Sequence, residues 1–99
     1  DTHMITHVCM FKLQQENHEE VLNKAVKLAK ALYTIPCAVR GEVVVNDTLA
    51  DMSNYDLCLL FDFETYEDLD AYQKHPVHVA FKDYVVSHML SRACIDYRK

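Results

Sequence analysis

Tyr55-Asp56-Leu57-Cys58-Leu59-Leu60-Phe61-Asp62-Phe63 is the stretch that decides the fold. Tyr55, Leu57, Leu59, Phe61 and Phe63 recur with a period of two, the repeat of an extended strand whose successive side chains point to opposite faces. The intervening positions include Cys58 and Leu60, so this strand is apolar on its second face as well. A strand of this kind needs cover on both sides.

Working outward, Met4 to Leu13 alternates in the same way, with Ile5, His7, Cys9, Phe11 and Leu13 against Met4, Thr6, Val8, Met10 and Lys12. Asn17 followed by Glu20 has capping-pair spacing, and Val21, Leu22, Ala25, Leu28, Ala29 and Leu32 form a helical stripe. Tyr33-Thr34-Ile35-Pro36 stops that helix, because the residue before a proline is pushed out of the helical region. A second strand is expected from Ala38 to Val45, and polar Asn46 to Asn54 connects it to the third. Thr65 caps a helix running to about Gln73, with Glu67 and Asp68 in its positively polarised first turn. Pro76 suits the first position of another helix carrying Val77, Phe81 and Val85 and ending near His88, and a last strand ends at Ile95-Asp96-Tyr97.

The order strand, helix, strand, strand, helices, strand describes an α+β domain with its helices on one face of a four-stranded antiparallel sheet. Val8, Met10, Cys58, Leu60, Leu90 and Cys94 are assigned to the other face. A second copy packed face to face across a twofold axis is the expected cover.

Composition narrows the function classes. The 99 residues are 51% hydrophobic and 25% charged with a net charge of −5, which suits one small domain and supplies no basic footprint for nucleic acid. No apolar run has the length of a membrane span, and a cytoplasmic location is expected. Asp1-Thr2-His3 reads as a cloning remnant before Met4, leaving 4–99 as a single domain. Cys9, Cys37, Cys58 and Cys94 form no Cys-x-x-Cys pair. No metal site is expected, and all four are expected to be reduced core thiols, with Cys9 and Cys94 on opposite sheet faces.

The strand at Leu57–Phe63, the aromatic Tyr72 and the His75-Pro76-Val77-His78 helix start together resemble the stress-responsive α/β barrel (Dabb) family. The resemblance covers nearly all of 4–99 and implies a ferredoxin-like sandwich whose sheets dimerise into a barrel. Cys37 stands where family members often carry glycine after the Ile-Pro turn. In a polyketide-cyclising branch of that superfamily, a tyrosine and a histidine at the places of Tyr72 and His78 look to serve as acid and base, and the position of His7 points into the cavity. The aromatic walls of that branch are missing here, where Lys24, Ala25, Leu28 and Met89 stand.

The candidate catalytic residues are therefore His78 as base and Tyr72 as acid. His7, His75, Leu59, Leu28 and Met89 are the candidate pocket residues, and no cofactor is expected. A histidine in the first turn of a helix is disfavoured as a cation, and a neutral imidazole can accept a proton. Against this stands a structural reading, in which helix-start histidines cap backbone groups and satisfy buried neighbours. Three classes of function follow: a dimeric stress-response barrel of unassigned activity, a cofactor-free cyclase, isomerase or lyase acting on a small carbonyl compound, and a small-ligand binding module or monooxygenase-like relative.

Overall fold

The computed structural model describes residues 3–99, so Asp1 and Thr2 of the presumed remnant lie outside the described residues. The elements are β1 (Ile5–Leu13), α1 (His18–Lys30), a 3-10 turn at Ala31–Thr34, β2 (Arg40–Val45), β3 (Leu57–Phe63), α2 (Tyr66–Lys74), α3 (Pro76–His88) and β4 (Met89–Arg98). The strands form one antiparallel sheet in the order β2-β3-β1-β4. The two strands with the clearest apolar alternation, β1 and β3, therefore occupy its centre.

Alternation sets the layers. Cys9, Phe11 and Leu13 on β1 and Leu57, Leu59, Phe61 and Phe63 on β3 are buried beneath the helices, where they meet Val21, Ala25 and Ala29 of α1, Leu69 and Tyr72 of α2, and Phe81 and Val85 of α3. The opposite face carries Val8, Met10 and Leu60 only part-buried, with Val44 37% and Ile95 61% exposed. Those apolar positions have no cover within one chain.

Local chemistry explains most element ends. The Thr65 hydroxyl accepts from the Asp68 N–H, and His75 Nδ1 accepts from the Val77 N–H directly before Pro76. Asn17 departs from expectation: its side chain makes no cap bond, and the residue is left-handed at φ 54°, a conformation asparagine tolerates better than most residues. Asp56 instead ties this corner together, accepting from the Leu13 N–H and bonding His18 Nε2 at 3.0 Å.

The cysteine assignment is overturned. Cys94 faces the helix side, directly opposite Cys9 in the β1–β4 ladder, and the two are joined as a disulfide, whereas Cys37 and Cys58 are free. Directly paired residues of antiparallel strands share a face, so cysteines 85 residues apart in sequence can meet without any short motif. The register slips at a bulge between Lys12 and Leu13, which separates Leu90 from the parity of the strand beyond it.

Candidate functional site

Tyr72 lies one turn beyond Leu69 on α2, so both face the sheet. Its ring is fully buried, 5.3 Å from the Phe61 ring and 4.9 Å from that of Phe63. Pro76 starts α3 and places His78 at its third position, with its ring 4.7 Å from Tyr72 and 6.2 Å from Phe81. The Tyr72 hydroxyl and His78 Nδ1 are buried, yet neither has a hydrogen-bond partner among the described residues. Leaving such groups unpaired costs roughly 1–3 kcal/mol each, and here two lie on neighbouring rings.

Tyr72 and His78 both line a cavity of about 380 Å³. Its wall includes His7, Leu59 and Met89 from the expected set, together with Phe81, Lys82 and Arg92. His75 and Leu28 are not part of it: His75 spends Nδ1 on capping α3, and Leu28 packs part-buried against the core. Arg92 and Cys9 also line the cavity, and both were missed in the sequence because their convergence depends on the β1–β4 register.

Electrostatics separate the two central groups. The pKa of His78 is lowered to about 4, first by burial and then by electrostatic interaction with His7, Lys82 and Arg92, against an opposing influence of the Gln73 backbone. His78 Nδ1 has no partner among the described residues, so a neutral His78 that carries its proton on Nε2 has a free Nδ1 lone pair to accept another. Burial pushes the Tyr72 phenol well above its usual value, so it stays protonated and can only donate or be donated to as a neutral hydroxyl. His7 is held differently, with Nδ1 bonded to the Asp96 carboxylate across the β1–β4 pair.

The arrangement sets a proton acceptor and a neutral hydroxyl donor on neighbouring residues that line a space of small-molecule size. The model of the Stress responsive A/B Barrel Domain (Dabb) matches residues 5–99. No protein of curated function matches. Among solved structures, a dimeric protein of unknown function and ferredoxin-like fold from Bacteroides fragilis is 29% identical over 97% of this chain and 96% of its own, with a TM-score of 0.84. A Dabb family protein with a ferredoxin-like fold from Mesorhizobium loti is 24% identical, covering 98% of this chain and 97% of its own at a TM-score of 0.70. An antibiotic biosynthesis monooxygenase shares the fold at a TM-score of 0.78 with 10% identity, over 96% of this chain and 97% of its own.

Proposed function

The chain belongs to the stress-responsive A/B barrel (Dabb) family, and from that premise we propose that it is a homodimer whose cavity catalyses proton transfer next to the carbonyl of a small molecule. His78 Nδ1 removes the proton and the Tyr72 hydroxyl donates a hydrogen bond to the carbonyl oxygen as negative charge develops there. Enolisation and an aldol-type ring closure or its reverse need no more than these two groups. The observation that carries the reading is the pair of buried, partnerless polar atoms on two neighbouring residues that line one cavity.

Two features narrow the substrate. Beyond Phe11, Tyr72 and Phe81 the wall offers aliphatic Leu59, Val85 and Met89, which favours a compact aliphatic compound over a flat aromatic one. Lys82 and Arg92 bring positive charge to the same wall, which suits an anionic keto compound. Assembly follows from the sheet: Val8, Met10, Leu60, Val44 and Ile95 form an uncovered apolar face, and a relative of the same fold is described as dimeric. A stable interface there would bury about 1,600 Å² in total.

The test is exchange of α-protons with deuterated water, followed by proton NMR over a panel of small 3-keto acids and 1,3-diketones. The parent should accelerate exchange for at least one compound, and His78→Asn should abolish the acceleration while remaining folded and dimeric. Folded His78→Asn that exchanges as fast as the parent removes His78 from the chemistry.

A further inference from the structure

At the edge of the cavity, where His7 and Cys9 line it and Cys94 adjoins Cys9, lies a second constellation that proton transfer by Tyr72 and His78 does not use. We propose that, once reduced, His7, Cys9 and Cys94 bind one thiophilic divalent cation of the zinc type, with a fourth coordination position open to the cavity. Each of the three offers a ligand atom, and these atoms lie within 4.8 Å of one another. Two soft sulfurs and one imidazole are a donor set that selects zinc over hard cations such as magnesium or calcium.

The sheet builds the set on rigid backbone. His7 and Cys9 are two apart on β1 and so share a face, and Cys94 is the direct cross-strand partner of Cys9. The Cα atoms of the two cysteines are 4.2 Å apart. A tetrahedral site with metal–sulfur bonds of about 2.3 Å needs its sulfurs only ~3.8 Å apart, which side-chain rotation alone provides from that backbone spacing.

Three further groups fit a metal-bound state. Asp96 takes the Nδ1 side of His7, which fixes the ring and leaves Nε2 as the ligand, the carboxylate–histidine arrangement found behind metal-bound imidazoles. Arg92 Nη2 lies 2.9 Å from the Cys94 sulfur and 3.4 Å from that of Cys9, placing a cation and N–H donors where thiolates would form. With both cysteines ionised, two thiolates and the Asp96 carboxylate against the Arg92 guanidinium carry a net −2, which a divalent ion balances. The disulfide and the metal are mutually exclusive occupants of the same two sulfurs, so the site exists only in reduced protein.

Cobalt(II) titration of the full chain, reduced with a phosphine under argon, tests this. One equivalent should produce thiolate-to-cobalt charge transfer in the near ultraviolet with tetrahedral ligand-field bands, and zinc should bleach both. Cys94 is exposed, so Cys94→Ser should fold normally by circular dichroism while binding cobalt on the order of 100-fold more weakly or worse. Asp96→Asn should weaken binding by about 10- to 100-fold. The Cys37→Ser/Cys58→Ser double variant and His78→Asn should bind as the parent does, which keeps this outcome separate from the proton-transfer reading. Reduced, folded parent without charge transfer overturns the proposal. So does a Cys94→Ser spectrum and affinity equal to the parent's.

Discussion

Replacing Tyr72 by phenylalanine should make this protein more stable. The ring lies between Phe61, Phe63 and His78, and phenylalanine preserves every one of those contacts. What it removes is one hydroxyl that is buried and hydrogen-bonds to nothing among the described residues. An unmade hydrogen bond at a buried polar atom costs roughly 1–3 kcal/mol, and no compensating bond is lost on substitution. The void left by one oxygen on a wall that already faces a cavity adds little to the other side. Tyr72→Phe should therefore gain about 1 kcal/mol or more, which for a domain of this size raises Tm by about 4–8 °C per kcal/mol. Urea unfolding followed by circular dichroism measures the gain, with an unchanged m-value showing that the native state is otherwise the same. The same variant should lose α-proton exchange activity, since stability given up at a buried group is the expected signature of a working site. Loss of stability by more than about 0.5 kcal/mol would refute the reasoning, because the hydroxyl would then have a partner.

Other perturbations have equally definite outcomes. Below a pH of ~6.5 an unfolded His78 takes up a proton that the folded one refuses until about 4, so stability falls as pH drops through that window. At pH 5 the unscreened loss is about 2 kcal/mol, and partial exposure of the ring reduces it to about 1. Urea melts at pH 7 and pH 5 should show the parent losing that much more than His78→Gln, and identical losses would count against the shifted histidine. Gly41 sits opposite Phe61 in the β2–β3 ladder, and an added Cβ would lie within 2.7 Å of three carbons of that ring. Tyr33 and Tyr72 pack against the same ring, so Gly41→Ala should cost about 1–3 kcal/mol in a denaturant melt, and a neutral result would show that β2 yields instead. Leu60→Asp puts a charge at the centre of the uncovered sheet face, and light scattering should then report the 11.5 kDa monomer where the parent runs as a dimer. A dimeric Leu60→Asp would move the interface elsewhere.

What could be read from sequence was local. The β1 and β3 alternation, the stop at Ile35-Pro36, the Thr65 cap and the Pro76 start all depend on neighbours within a few residues, and each element appears where its pattern placed it. That Tyr72 and His78 lie near each other was legible for the same reason, since a short turn around His75-Pro76 joins them. β4 was not legible in that way. Ser91, Arg92, Ala93, Cys94, Ile95 and Asp96 mix polar and apolar residues on both faces, so no period of two fixed its parity, and the bulge at Lys12/Leu13 removed the remaining guide. That one strand carries Arg92, Cys94 and Asp96, which is why the disulfide, the His7–Asp96 pair and half of the cavity's charge went unread.

The most direct measurement is made on His78 itself. Long-range proton–nitrogen NMR of the imidazole, recorded as pH is lowered from 8, reports both its tautomer and its titration without any substrate. The ring should be neutral at pH 7 with its proton on Nε2 and should charge only near pH 4. A proton on Nδ1, or a midpoint at or above the unperturbed ~6.5, would mean that no free base faces the cavity, and the proposed chemistry would have to be abandoned.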